Sequence, residues 1–176
     1  TGRWTARALS ARCAFQPNGW LGKKHASPRG DHASGSRDRS EPLTMEKGRT
    51  ALVTGAGRRI GRAIAVALGA RGMHVAVHYG SSEAGAREAA AEIDRAGGRA
   101  TCLHADLRHR DAPEGLVEEA VRVLGQLDVL VNSAAVMVRT PVGEVTVAAW
   151  DEMFAINLRA PFFASQAAAP HLARQK

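Results

Sequence analysis

The chain has 176 residues, 45% hydrophobic and 23% charged, enough for one globular domain of ordinary size with a buried core. Its formal charge of +7 is unevenly spread: residues 1–44 carry eight Lys and Arg against three Asp and Glu, whereas residues 45–176 carry sixteen against fourteen. The basic character belongs to the leader, so the domain does not read as nucleic-acid-binding; the absence of a secretory or membrane-length apolar run likewise excludes a membrane partner.

Residues 1–44 lack hydrophobic periodicity and are rich in Gly, Ser, Pro and Arg, so they cannot bury enough apolar surface to offset their ordering entropy. The expectation is a disordered basic leader, read first as a translated upstream or cloning-derived segment. An organelle transit peptide and a nucleic-acid-binding arm are the alternatives. Met45 is a natural start for the domain, which occupies 45–176. The two cysteines, Cys13 and Cys102, form no CxxC or metal-ligand spacing, so no metal site is expected and a reducing cytoplasm is the simplest compartment.

From residue 50 onward, short apolar runs alternate with helical patterns, which predicts βαβ units and a parallel sheet. Strands are expected at about 50–54, 74–78, 100–104 and 127–132. The first helix carries Ile60, Ala63, Ile64, Ala67 and Leu68 as an apolar stripe toward the sheet and ends at Arg71-Gly72. The second runs from about Ser82 to Ala96, stopped by Gly97-Gly98. The third opens at "DAPE", where Asp111 and Glu114 have capping-box spacing, and closes at Gly125. A last helical region covers 147–173, interrupted near Pro161.

The stretch "TGAGRRIGRAIA", Thr54 to Ala65, joins the first strand to its helix. Such a turn gathers free backbone N–H groups and the positive end of the helix dipole, so an anionic phosphate fits there. The strict G-x-G-x-x-G fingerprint would need glycine at 60, where Ile60 stands; the glycines here are Gly55, Gly57 and Gly61.

"TGAGRRIG" resembles the T-G-x-x-x-G-x-G turn of the short-chain dehydrogenase/reductase family. "HYGSS", "HADL", "LDVLVNSAA" and "WDEMFAINLRAPFF" match that family in order and spacing, so the resemblance covers about 45–176. It implies a Rossmann-type doubly wound parallel α/β sheet, here ending after the helix that follows strand four. It further implies that Thr54, Gly55, Gly57 and Gly61 shape the pyrophosphate turn with the Ile60 backbone beside them. Asp106 and Leu107 would lie along the adenine, and Asn132 with Ala134 would frame the adenosine and nicotinamide side.

Cofactor choice follows from charge. An NAD site offers an acid at the end of the second strand, whereas a 2′-phosphate requires cations and hydroxyls. Here that strand ends with His78, Tyr79, Gly80, Ser81 and Ser82, and no acid occurs before Glu83. Arg58 and Arg59 with Ser81 and Ser82 therefore point to NADP(H). Arg59 stands where the family usually has glycine, as in its pteridine reductases, which admits a pterin substrate. Ala135 and Met137, where those enzymes carry a hydroxyl and an aromatic ring, favour a broader carbonyl reductase, the 3-oxoacyl-carrier-protein type included.

Family catalysis uses Asn, Ser and a Tyr-x-x-x-Lys pair. Asn157 matches the first. The sole tyrosine, Tyr79, is followed four residues later by Glu83, so it is not the proton donor. The chain thus reads as the N-terminal half of an NADP(H)-dependent reductase, inactive as it stands, whose parent is a homo-oligomer acting on a small carbonyl or pterin. A non-catalytic dinucleotide-binding or scaffold protein is the alternative. Strand four and the apolar faces of "PFFASQAAAPHLA" are expected to lack covering neighbours.

Overall fold

The computed structural model describes residues 48–174, so the leader expected over 1–44 lies outside the described residues. Four parallel strands, β1 (Thr50–Val53), β2 (His74–Tyr79), β3 (Arg99–His104) and β4 (Val129–Val131), form a sheet in the order β3-β2-β1-β4. The reversal of strand order beside β1 opens a crevice at the carboxyl ends of β1 and β4, the position where doubly wound sheets take ligands.

Helices α1 (Arg59–Gly69) and α2 (Glu83–Arg95) cover one face of the sheet, and α3 (Ala112–Leu124) and α5 (Ala160–Ala173) the other. Between them lie α4 (Val147–Phe154) and a π-helical segment, Ala155–Arg159. Side chains alternate along each strand. Ala51, Val53, Val75 and Val77 join Met73, Ala65, Ala89 and Ile93 on the first face, while Leu52, Ala76 and Leu103 join Leu116, Val117, Leu127 and Ala164 on the second.

Four local expectations change. The buried line of α1 is Gly61, Ala65 and Gly69, because α2 lies close enough that a Cβ on Gly69 would meet Ile93; Ile60, first of the expected stripe, is 72% exposed. Asp111 precedes α3 in a helical conformation without a side-chain cap bond, so no capping box forms; Ala112 starts the helix, with Pro113 in its first turn, where its missing N–H costs nothing. The fourth strand spans three residues, since Asp128 turns its carboxylate onto the start of β1, accepting from the Thr50 amide at 2.7 Å and the Thr50 hydroxyl at 3.1 Å.

The last helical region is continuous rather than broken at Pro161. Its irregularity lies just upstream, where the Ala160 amide donates to the Ala155 carbonyl five residues back. Pro161 has no N–H for the carbonyl four residues earlier, that of Asn157, and a π turn absorbs the mismatch. Among the described residues, no helix is long and apolar enough to cross a membrane.

Candidate functional site

The turn between β1 and α1 is built around Thr54. Its Oγ accepts from the amides of Ser133 and Ala134, each at 3.0 Å, tying the turn to the segment after β4. Gly55 follows with φ of 65°, and a Cβ there would come within 2.7 Å of the Ala134 backbone, so only glycine fits. Gly57 serves a different contact. A Cβ on it would lie 2.8 Å from the Ser82 carbonyl, and a Cβ on Gly85 would run into the Gly57 carbonyl, so these two glycines let α2 press on the turn.

Beneath the turn, His78 is buried and both of its ring nitrogens are engaged. Nδ1 accepts from the Gly55 amide at 3.1 Å, so Nε2 carries the proton and donates to the Ala105 carbonyl at 3.0 Å. Burial pushes its pKa down, which keeps the ring neutral. Although His78 borders the crevice, its one ring proton is held by the Ala105 carbonyl; the ring braces the glycine turn against the end of β3.

Two adjoining cavities occupy the crevice. The larger, about 550 Å³, is lined by Gly55, Arg58, Arg59, Ile60, Gly61, His78, Ser81, Ser82, Asp106, Leu107 and Ala134, among others. The smaller, about 300 Å³, is lined by Thr54, Asn132, Asn157 and Pro161, among others, and shares Leu107, Ser133, Ala134, Ala135 and Ile156 with the larger. Of the residues read from the sequence, Gly57 and Tyr79 line neither; Tyr79 packs on His104 with ring centroids 5.2 Å apart.

Arg58, in extended conformation, precedes α1, whose first turn has no side-chain cap and no acidic residue. The helix end therefore offers its amides and its dipole to an anion in the larger cavity. Arg59 has φ of 52°, the only non-glycine residue in the left-handed region among those described, at a cost of about 1 kcal/mol. A non-glycine residue held there lines the cavity with a cation where glycine would leave none.

Asn157 sits in the π-helical segment with its carboxamide clamped on one residue: Oδ1 accepts from the Val136 amide at 2.9 Å and Nδ2 donates to the Val136 carbonyl at 2.7 Å. Asn132 donates from Nδ2 to the Ser165 hydroxyl at 3.0 Å, tying the end of β4 to α5. Both amides thus shape the smaller cavity by holding its walls.

Asp106 is locked by its neighbour: Arg108 donates to it from the backbone at 3.0 Å and from the guanidinium at 2.6 to 3.0 Å, and holds its pKa down at about 2. Sequence reasoning missed Ser133, Arg108, Val136, Glu152 and Ile156 as wall residues. For Arg108 and Ser133 the signal was adjacency to Asp106 and Asn132. For Glu152 and Ile156 only the path of α4 and the π-helical segment along the crevice brings them in. Among the described residues, no group of three His, Cys, Asp or Glu could hold a metal ion.

Residues 49–176 match the family model described as short chain dehydrogenase. The chain is 43% identical over 125 residues to a hydroxynaphthalene reductase-like protein Arp2 of Metarhizium guizhouense, covering 71% of this chain and 47% of that protein. Among solved structures, the landomycin C-6 ketoreductase LanV with bound NADP and rabelomycin is 44% identical with a TM-score of 0.68, over 71% of this chain and 54% of that one. A short chain dehydrogenase from Burkholderia cenocepacia J2315 in complex with NADP is 39% identical with a TM-score of 0.69, over 72% and 51%. The chain therefore spans about half the length of the relatives it matches. With the glycine turn, the parallel sheet and the crevice in their places, and with this match running from residue 49 to 176, the chain belongs to the short chain dehydrogenase family of oxidoreductases.

Proposed function

We propose that the crevice holds NADP(H) and that the whole protein reduces a ketone carbonyl. The observation that carries the cofactor reading is the meeting of two arginines and two serines on one cavity, with no acid at the end of β2: Arg58 and Arg59 come from the turn, Ser81 and Ser82 from the loop after β2, which packs on the turn at Gly57. The residues present fit the group. Gly55 lets the turn close on Ala134, which a Cβ would strike, the uncapped start of α1 offers its amides to a pyrophosphate, and Arg58 and Arg59 offer charge-assisted bonds to a 2′-phosphate. The dinucleotide, when bound, supplies the hydride.

The chain's own part is positional. Thr54 holds the floor at Ser133 and Ala134, and the Asn157 carboxamide holds Val136. That two relatives are a hydroxynaphthalene reductase-like protein and a ketoreductase supports a ketone on a flat ring system. A pterin is disfavoured, since Met137 is 80% exposed and Ala135 brings neither hydroxyl nor ring to the cavity. Tyr79, the one tyrosine in the sequence, is packed on His104 outside both cavities, so the 176 residues hold a dinucleotide without a positioned tyrosine acid.

The test is a titration followed by nicotinamide fluorescence. NADPH should bind at least about tenfold more tightly than NADH, a modest return for one or two charge-assisted bonds. Replacing Arg58 and Arg59 by Ala should weaken NADPH far more than NADH. Equal affinities in the unmodified chain reject the assignment, and an equal loss for both cofactors assigns the arginines to the pyrophosphate alone. The chain should show no NADPH oxidation with a panel of ketones; steady turnover would locate a proton donor within these residues.

A further inference from the structure

Residue 78 holds the glycine turn twice. Its backbone carbonyl accepts from the Ala56 amide at 2.8 Å, and its ring Nδ1 accepts from the Gly55 amide at 3.1 Å. The first bond does not titrate; the second needs a lone pair on Nδ1. Nε2 already carries the ring's one proton and gives it to the Ala105 carbonyl at 3.0 Å, so a second proton has only Nδ1 to go to. There it would point at the Gly55 N–H, donor against donor, in a residue that is 1% exposed.

Gly55 carries that conflict to the start of α1. A Cβ on Gly61, in the first turn of the helix, would run into the Gly55 carbonyl, and Gly55 itself is wedged on the Ala134 backbone. So confined, Gly55 cannot turn its amide away from a protonated ring without disturbing the first turn of α1, whose free amides are the ones offered to a pyrophosphate.

No neighbour compensates a charge on the ring. Around the same cavity stand Arg58 and Arg59 from the turn, His104, Asp106 and Arg108 from the end of β3 and its loop, and Glu152 from α4. The Asp106 carboxylate is taken up by Arg108, Glu152 faces Arg108 at 3.8 Å, and His104 adds like charge once it is protonated. The residues of β1 carry no charge, and α3 and α5 bury only apolar residues, among them Leu116, Val117 and Ala164. Burial, the larger cause, and His104 both oppose the charged form of His78.

We propose that His78 is an acid-sensitive hold on the dinucleotide. The neutral ring keeps the turn in its binding form; a proton taken from water at Nδ1 breaks the bond to Gly55 and releases the cofactor. Binding and protonation exclude each other, so a dinucleotide entering the protonated chain returns that proton to water. The inference rests on the dinucleotide reading above and makes His78 a positioning residue that acts through Gly55.

The experiment titrates the full chain calorimetrically with NAD+ and NADP+ from pH 8 to pH 5, with thermal melts at each pH to follow the fold. NAD+ lacks the 2′-phosphate, whose own second pKa of about 6 falls in this range. Affinity for NAD+ should hold down to about pH 6.5 and then fall, by at least about threefold at pH 5, because the proton is taken up only below the ordinary histidine value. Paired buffers of different ionisation enthalpy should show protons released on binding at pH 5 and none at pH 7.5. His78→Asn keeps an acceptor near the place of Nδ1 and does not titrate. Its affinity should lie within about threefold of the parent at pH 7.5, stay level to pH 5 and release no proton. His78→Gln sets its carboxamide at the Nε2 end and leaves the Gly55 amide unpaired, so it should bind about tenfold more weakly at every pH. His104→Gln should keep the acid loss.

A parent profile as level as that of His78→Asn, or proton uptake at pH 5, overturns the hold. So does an acid loss that survives in His78→Asn or vanishes in His104→Gln. If NAD+ binds too weakly to follow, the difference between the parent and His78→Asn with NADP+ removes the 2′-phosphate from the comparison. If His78→Asn fails to fold, the sign of the proton release and the His104→Gln profile decide by themselves. A parent chain that binds neither dinucleotide at pH 7.5 overturns the dinucleotide reading together with the hold, whereas parent binding that does not change with pH overturns the hold alone.

Discussion

On the α1–α2 side of the sheet, Met73, Val75, Val77 and Ile93 are wholly buried, and Gly57 and Gly85 bring the turn and α2 into backbone contact. On the α4–α5 side, Trp150, Phe154, Leu158 and Phe162, spaced four residues apart, are 43 to 61% exposed. The helices of the exposed region are the more apolar in sequence, so composition does not explain the exposure; neighbours do. An apolar side chain gains about 25 cal/mol per Å² only for the area another group removes from water. α2 lies between α1 and the edge of the sheet, whereas the outer face of α4 and the start of α5 has no such cover among the described residues. Trp150 and Phe154 cover each other in part, stacked with centroids 4.3 Å apart.

The largest expected effect that would break this comparison is a pair of truncations. Ile93→Ala, on the covered side, should cost about 3 to 4 kcal/mol in urea unfolding, and Phe162→Ala, on the uncovered side, within about 0.5 kcal/mol. Similar losses at the two positions would mean that Phe162 is buried in solution. Next comes Gly85→Ala, whose Cβ would meet the Gly57 carbonyl: about 1 to 3 kcal/mol is expected from overpacking. Weaker dinucleotide binding should accompany it, because the turn must shift. A variant that keeps both stability and affinity would show the contact to be loose.

A smaller effect concerns acid. His78 is buried and neutral in the folded protein, with its pKa below the unfolded value of about 6.5, so the unfolded state takes up the proton first. Its contribution is present above about pH 6.5 and is lost as pH falls below it, at up to about 1.4 kcal/mol per pH unit until the folded pKa is reached. His74, also lowered by burial, acts in the same direction. Hydrogen exchange at pH 5 against pH 7.5 should show the Gly55 amide and the ends of β2 and β3 opening before α5. Uniform loosening would place the acid-sensitive groups elsewhere. Smallest, and of opposite sign, Arg59→Gly should stabilise the fold by about 1 kcal/mol by relieving the left-handed backbone, while weakening NADPH. A variant less stable than the parent would show that Arg59 contributes more through contacts than it costs in backbone conformation.

These effects follow the division between what local pattern and what assembly supplies. Each strand and helix on the α1–α2 side was legible, because the short apolar runs in "ALV" and "HVAVH" and the stops at Gly72 and Gly97 are local physics; both glycines have positive φ. α5 was legible as a helix but not as an oriented one. Ala and Phe surround its axis, and only packing sends Ala160, Ala164 and Ala168 inward and Phe162 outward. The π segment needed both Pro161 and the clamp of Asn157 on Val136, a contact across 21 residues.

By itself the sequence determined the element order, the parallel sheet, the glycine turn and the cations and hydroxyls of the crevice, because each depends on neighbours within a few positions along the chain. The tertiary structure alone decided which of those residues share a cavity and which are spent on holding it. It paired His78 with Gly55 and Ala105, separated Gly57 and Tyr79 from the cavity lining, and set Arg108 between Asp106 and Glu152. The physical reason is range: backbone preference and hydrophobic period act over one or two turns. The hydrogen bonds that fix the glycine turn in the site join residues 20 to 80 positions apart, and exist only once the sheet has brought those residues together.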